Sequence, residues 1–126
     1  MGSVDLVAGI DLGGTKIHAA LVDATGKIYA SDRCKTRPEE GPDAVNGRMV
    51  ELVDGLCREQ GIAPSTLKAV SNGVPGGSDD AAGMVDKAPN LGWTKVPLAK
   101  RLTDALGVGK VILDNDVRVA VIGEWA

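Results

Sequence analysis

Aromatic residues are scarce in this 126-residue chain, which has two tryptophans, one tyrosine and no phenylalanine. Its 14 basic residues form no cluster and are outnumbered by 17 acidic residues, so the formal net charge is -3. Nucleic-acid-binding surfaces combine clustered cations with aromatic side chains that stack on bases. The composition therefore argues against nucleic acid as a partner.

Long apolar runs are also missing. The longest run reaches about eight residues, whereas a helix needs about 20 apolar residues to cross a membrane. The first residues, Met1–Asp5, lack the charged segment and apolar stretch of a secretion signal. With 44% hydrophobic and 25% charged residues, the composition is typical of a globular domain. We therefore expect no membrane partner and a cytoplasmic location.

Potential metal ligands are few. Cys34 and Cys57 are the two cysteines, 23 positions apart, and His18 is the one histidine. No cysteine or histidine stands near another at the spacing of a zinc site. We expect both cysteines to be reduced structural residues and His18 to have a structural role in a strand.

The first 35 residues are predicted to form three consecutive strands. Val4–Ile10 is apolar apart from Asp5, which is typical of a strand buried on both faces. A turn at Asp11–Lys16 precedes an alternating strand at Ile17–Val22, and a second turn leads to a strand at Ile28–Lys35.

A change of period then indicates helices alternating with strands. Apolar residues recur every three or four positions across Pro42–Gln60, with Gly61 just beyond, which predicts an amphipathic helix. Residues 75–97 are rich in Gly, Pro and Asp and are expected to be mostly loop or short hairpin. The other predicted elements are strands at Leu67–Val74 and Val111–Leu113, a short helix from Leu98 to Leu106, and a further helix from Asn115. Right-handed crossovers would then give an α/β domain with a five-stranded mixed sheet and flanking helices.

The turn Asp11–Lys16 is the first candidate site. Glycines such as Gly13 and Gly14 let backbone N–H groups approach a phosphate closely, and Thr15 adds a donor. Asp11 could act on a phosphate-bound Mg²⁺ through water. On spacing alone, a plain hairpin turn explains the two glycines equally well.

The context of this turn differs from two familiar phosphate loops. Walker and dinucleotide-binding loops both lead into a helix, whereas this one leads into an alternating strand. The segment Gly9–Ile17 resembles the first phosphate motif of ROK-family sugar kinases, which belong to the actin/hexokinase-like superfamily. The resemblance implies a ribonuclease H-like (actin-like ATPase) domain that binds ATP, or polyphosphate, with Mg²⁺. It assigns phosphate contacts to Asp11, Gly13, Gly14, Thr15 and Lys16.

Three polar residues, Asp114-Asn115-Asp116, follow the fifth predicted strand. One of them is expected to cap the next helix, but a cap needs one side chain. Phosphoryl transfer to a sugar hydroxyl benefits from a carboxylate that takes its proton. The family resemblance implies that Asn115 hydrogen-bonds the sugar and that Asp116 contacts it and acts as the general base.

Two loop segments, Gly73–Asp79 and Ala88–Trp93, resemble those that line the sugar cleft in ROK kinases. By themselves they are ordinary loop sequences. The resemblance assigns sugar contacts to Gly76, Gly77 and Asn90. The chain departs from the family at Gly77 and the serine after it, where a bulkier apolar residue is more usual.

The resemblance extends from Val7 to Trp125. It implies that residues 1–126 are the N-terminal domain of a glucokinase-like hexose kinase. A second domain, outside this chain, would carry the family's zinc site, its second phosphate loop and the adenine pocket. We therefore expect the isolated chain to be at most a very poor kinase.

Two alternatives belong to other functional classes. Sugar-responsive repressors of the same family carry a helix-turn-helix before the phosphate loop, and Asp11 lies too near the start to leave room for one. The other alternative is a non-catalytic sugar-binding module, or one that pairs with a second copy as a homodimer.

Overall fold

The computed structural model describes residues 5–73, 77–79, 84–88, 93–96 and 98–113, and side chains within 5–73 and 98–112. The elements in this part of the chain are β1 (Val7–Leu12), β2 (Lys16–Val22), β3 (Ile28–Lys35), α1 (Pro42–Glu59), β4 (Ala69–Gly73), β5 (Gly77–Asp79), β6 (Met84–Ala88), β7 (Trp93–Val96), α2 (Leu98–Leu106) and β8 (Val111–Leu113).

Five of these strands form a mixed sheet in the order β3-β2-β1-β4-β8. β1 is antiparallel to β2 and parallel to β4, and β4 is parallel to β8. The central position of β1 explains its apolar sequence, because Ala8, Ile10 and Leu12 are each at most 1% exposed. The expected five-stranded mixed α/β sheet is confirmed.

The first strand runs further than its sequence suggested. Asp11 and Leu12 belong to β1, where they pair with His18 and Ile17 of β2. The predicted turn over Asp11–Lys16 is therefore too wide, and the connection between the two strands consists of residues 13–15. The acidic residue lies in the strand itself because its backbone completes the ladder, whatever the polarity of its side chain.

Helix α1 packs on one face of the sheet. Its buried residues follow the predicted helical spacing, and they are Val45, Met49, Val53, Leu56 and Cys57. The helix begins at Pro42, which is suited to a first turn, and ends before Gly61 at φ 70°. Ile62 N–H donates to the Cys57 carbonyl at 3.0 Å and Gly61 N–H to the Arg58 carbonyl at 3.1 Å, which satisfies the last carbonyls of the helix.

The short helix α2 has the predicted bounds. Leu98, Leu102 and Leu106 are buried at four-residue intervals and join the core that the sheet forms with α1. Gly107, at φ 72°, follows the last helical residue. A glycine is favoured there because the left-handed region is costly for residues with a Cβ atom.

The segment 75–97 differs from expectation. Its described residues form a second, antiparallel sheet in the order β5-β6-β7, so the expected short hairpin is extended by a third strand. The strands are three to five residues long, too short for the alternation by which strands are usually identified.

Within the described residues, no helix is both long and apolar enough to cross a membrane. Cys34 and Cys57 are free thiols, Cys34 half-buried and Cys57 buried, as the sequence predicted. The helix predicted from Asn115 lies outside the described residues.

Candidate functional site

Three parallel strands end at one edge of the main sheet. In the register across them, Ile10 of β1 pairs with Asn72 of β4, which pairs with Leu113 of β8. Adjacent strands lie about 4.8 Å apart, so the end of β8 is about 10 Å from β1. Ligands of open α/β sheets bind outside the carboxyl ends of the strands. This edge, here called the carboxyl edge, is therefore the candidate site.

The hairpin between β1 and β2 stands at the carboxyl edge. Gly13 N–H donates to the Lys16 carbonyl at 3.0 Å, which draws the two sides of the turn together. Thr15 and Lys16 are exposed and Gly14 is partly exposed. A tight turn of small residues with accessible backbone suits an anion such as phosphate.

A buried threonine holds this hairpin from the end of β3. Thr36 is 0% exposed; its hydroxyl donates to the Gly13 carbonyl at 2.8 Å and its N–H to the Thr15 carbonyl at 2.9 Å. Arg48 of α1 donates through Nη1 to the Thr36 carbonyl at 2.8 Å, and its Nη2 contacts the Glu40 carboxylate. The hairpin is thus tied to both β3 and α1.

The residue after this threonine has an unusual backbone. Arg37 has φ 50° and ψ 62°, the left-handed region that costs a residue with a Cβ atom roughly 1–2 kcal/mol. This conformation turns the chain from β3 into a single 3₁₀ turn, Pro38–Glu40. The surrounding bonds of Thr36 and Arg48 hold that turn in place.

Asp11 projects from the sheet face opposite Ile10 and Leu12, which are buried in the core. In the register it lies across from His18 on one side and Gly73 on the other. Directly paired residues have Cβ atoms about 5 Å apart, so His18 is a neighbour of Asp11 that its sequence position did not reveal. His18 is partly exposed and engaged in interactions of its own.

The carboxylate of Asp11 fits the expected magnesium ion. It is partly exposed, and only Leu12 separates Asp11 from the connection at residues 13–15. Mg²⁺ is usually held by one or two carboxylates, with waters and substrate phosphates as the remaining ligands. Among the described side chains, no group of three or more His, Cys, Asp or Glu could hold a metal by itself.

The predicted sugar contacts are less completely described. Gly77 is the first residue of β5, where its backbone pairs with Lys87. Gly76 and Asn90 lie outside the described residues, as do Asp114, Asn115 and Asp116, so their roles stay predictions. The described strand β8 ends at Leu113, the residue before Asp114 in the sequence.

One buried amide group, that of Asn72, lies between the sheet and α1. Asn72 is 0% exposed, and its Nδ2 approaches the Met49 sulfur at 3.5 Å. The Oδ1 atoms of Asn72 and of Asn46 are buried without a hydrogen-bond partner among the described groups. Asn72 is thus polar at a position of β4 where Val70, two residues before it, is apolar.

A groove of about 430 Å³ lies elsewhere, between the edge strand β3 and α1. Its walls include Cys34 and Leu52 together with the charged side chains of Arg37, Arg48 and Glu51. Charges of both signs and a shallow form make it a poor cradle for phosphate. The register of the parallel strands, rather than the size of this groove, therefore locates the candidate site.

Comparisons with known proteins match nearly the whole chain. The family model described as "ROK family" matches residues 7–126. Glucokinase of Thermotoga maritima is 36% identical over 117 residues, which cover 92% of this chain and 35% of that protein. The xylose repressor of Caldicellulosiruptor bescii is 26% identical over 121 residues, covering 96% of this chain and 30% of the repressor.

A solved structure shares the fold. A ROK family glucokinase from Streptomyces griseus, in complex with glucose and AMPPNP, superposes with a TM-score of 0.78 at 32% identity. The match covers 95% of this chain and 36% of that one. The chain thus spans about a third of the length of the relatives it matches.

Proposed function

The chain belongs to the ROK family, and on that premise we propose that it is the N-terminal domain of an ATP-dependent hexose kinase. In this proposal the Gly13–Lys16 hairpin holds the transferred phosphate and Asp116 activates the sugar hydroxyl. The observation that carries the proposal is the common edge at which the hairpin stands and β8 ends. Two strand spacings, about 10 Å, leave room for a sugar and a phosphate between them.

The chemistry assigned to these residues is an in-line transfer. The sugar hydroxyl attacks the terminal phosphorus of ATP and gives its proton to the Asp116 carboxylate, while the bond from that phosphorus to the ADP oxygen breaks. Asn115, Gly76, Gly77 and Asn90 would hold the sugar for this attack. Mg²⁺, when bound through Asp11 and water, would supply neutralisation of the phosphate charge.

Two relatives indicate which substrates to expect. Glucokinase from Thermotoga maritima and the Streptomyces griseus structure with glucose and AMPPNP favour glucose as the acceptor and ATP as the donor. Polyphosphate is the alternative donor, since a backbone cradle at Gly13–Lys16 would accept any terminal phosphate with a free oxygen.

The isolated chain is proposed to be a very weak kinase. Phosphoryl transfer depends on holding two substrates in line and away from water. With Thr15 and Lys16 exposed, the hairpin of this chain leaves the phosphate side open. A second domain in the full-length gene product would close over it.

A repressor is the second candidate, because the Caldicellulosiruptor bescii xylose repressor matches over nearly the whole chain. In that case the domain would bind a sugar and change shape without transferring phosphate. The presence of both a carboxylate at 116 and a phosphate-type hairpin in one chain favours the kinase.

Sugar phosphorylation by the full-length gene product tests this proposal. We expect ADP release that depends on glucose and Mg²⁺, measured in a coupled assay across several hexoses, with ATP and polyphosphate compared as donors. The 126-residue chain alone should give less than about 1% of that rate, since positioning supplies much of the rate enhancement. Sugar binding by calorimetry with no turnover would instead support the repressor.

A further inference from the structure

The structure assigns a positioning role to Thr36, a residue outside every motif of the candidate site. We propose that its two hydrogen bonds fix the Gly13–Lys16 hairpin so that the amides of Gly14 and Lys16 are presented to the donor phosphate. The identity of the ligand in this inference rests on the proposed kinase function. The two hydrogen bonds from Thr36 to the hairpin are independent of that function.

The two hydrogen bonds of Thr36 set the direction of two peptide groups in the hairpin. In a trans peptide the C=O of one residue and the N–H of the next point in opposite directions. The Gly13 carbonyl faces the Thr36 hydroxyl at 2.8 Å, so the Gly14 N–H is directed away from Thr36. The Thr15 carbonyl faces the Thr36 N–H at 2.9 Å, so the Lys16 N–H is directed away as well.

Thr36 is itself held firmly in place. Thr36 is fully buried, so water cannot easily replace its hydroxyl as the partner of Gly13. Its own carbonyl accepts from Arg48 Nη1 at 2.8 Å, and Arg48 also contacts Glu40. Arg48 belongs to α1, whose next residue, Met49, is buried in the core. Thr36 and Arg48 thus connect the hairpin to the buried core.

Loss of the Thr36 hydroxyl should affect binding of one substrate and not of the other. Thr36 carries no group that would reach the sugar, because both of its donors are used by the hairpin. Loss of the hydroxyl should therefore weaken binding of the phosphate donor and leave binding of the sugar unchanged. Loss of folded protein alone would instead lower the apparent kcat and leave both KM values unchanged.

The test compares three variants of the full-length gene product. Thr36→Val removes the hydroxyl at nearly constant volume, and Thr36→Ser restores it. Thr66→Val is the matched control, because the Thr66 hydroxyl also donates to a backbone carbonyl, that of Ala63 at 2.6 Å, but far along the chain from the hairpin. Steady-state kinetics give KM for ATP and for the sugar, and thermal denaturation reports folding.

We expect Thr36→Val to raise the KM for ATP about tenfold, the usual order for one lost hydrogen bond, with the KM for sugar within about twofold of wild type. Thr36→Ser should restore the ATP value, and Thr66→Val should change neither. A folded Thr36→Val with wild-type KM for ATP, or an equal rise in both KM values, would overturn the proposal. Thr36→Ala is a second hydroxyl-free variant should the valine not fold.

Amide hydrogen exchange of the wild-type protein provides an independent measurement. The amides of Gly13 and Thr36 are already bonded and should exchange slowly without ligand. Addition of Mg²⁺ and AMPPNP should slow exchange at Gly14 and Lys16. If AMPPNP binds and these two amides are unaffected, the assigned role is wrong. A protein that binds no nucleotide would contradict the kinase function instead, while the slow exchange at Thr36 would still report the anchor.

Discussion

Gly13 donates its N–H to the Lys16 carbonyl at 3.0 Å, and a Cβ atom added to Gly13 would lie 2.8 Å from that same oxygen. Real Cβ atoms do not come so close to a backbone oxygen. The obstacle is main chain on both sides, so it cannot be relieved by rotation of a side chain. Gly13 is therefore required by the tight approach of the hairpin and not by an unusual φ.

Gly13→Ala is expected to open the hairpin and weaken donor binding. The overlap should destabilise the protein by about 1–3 kcal/mol, the usual range for inserting a carbon into a filled site. Urea denaturation and the KM for ATP measure the two effects. Gly109→Ala is the matched control, because its added Cβ would meet no atom within 4 Å. Equal behaviour of the two variants would show that the close approach is not present in solution.

The turn after β2 predicts a pH-dependent contribution to stability. Asp23 accepts hydrogen bonds from the Thr25 hydroxyl at 2.6 Å and from the backbone N–H groups of Thr25 and Lys27. The Thr25 hydroxyl is the main cause that lowers the pKa of Asp23 to about 2. Because the pKa is lower in the folded state, this stabilisation is present above about pH 4 and is lost as the pH falls toward 2.

Asp23→Asn should therefore lower the Tm at pH 7 and lower it by progressively less between pH 4 and pH 2. Thermal denaturation across this range measures the difference from wild type. Asp104→Asn, on the exposed side of α2, is a control for loss of a surface carboxylate. A difference between Asp23→Asn and wild type that stays constant with pH would contradict the assignment.

The two thiols should differ in reactivity. Burial is the main cause that raises the pKa of Cys57 to about 11, and burial also raises the pKa of Cys34. Cys57 is 0% exposed, whereas Cys34 is half-buried at the edge strand. Iodoacetamide at pH 8 should modify Cys34 first and Cys57 only after denaturation, because the thiolate is the reactive form. Mass spectrometry of the native protein showing equal modification would be inconsistent with this packing.

Asn72 offers a test of the buried polar group in the central sheet. Its Oδ1 has no partner among the described groups, and burial of an unpaired polar atom is costly. Asn72→Leu, of similar size, is expected to leave the free energy of unfolding unchanged or raise it by about 1 kcal/mol. Val70→Ala, on the same strand and face, should lower it. Clear destabilisation by Asn72→Leu would indicate that a water or a side chain satisfies Oδ1 in solution.

Much of the main domain was predictable because its elements repeat at strict periods. The helix from Pro42 and the three leucines of α2 follow helical spacing, β1 is apolar as far as Ile10, and β2 alternates. The sequence allowed a short hairpin in the segment 75–97 but did not predict a three-stranded sheet, since strands of three to five residues are too short for a period to emerge.

A turn between the first two strands was predictable from Gly13 and Gly14, whereas phosphate binding there stays a prediction. The contact between Thr36 and Gly13 was not predictable, because 23 residues separate them and only the pairing of β3 with β2 brings them together. The proximity of His18 to Asp11 likewise depends on register. The local pattern of the sequence does not reveal contacts that depend on the register between two strands.

The central claim is that a carboxylate following β8 takes a proton from a sugar held beside the hairpin. Steady-state kinetics of Asp116→Asn in the full-length gene product test it most directly, with Asp114→Asn as the matched control two residues away. We expect Asp116→Asn to lower kcat by about 10²- to 10⁴-fold while the Kd for the sugar stays within a few-fold, and Asp114→Asn to have a much smaller effect on kcat. A kcat for Asp116→Asn within about tenfold of wild type, or an equal loss in Asp114→Asn, would contradict the account.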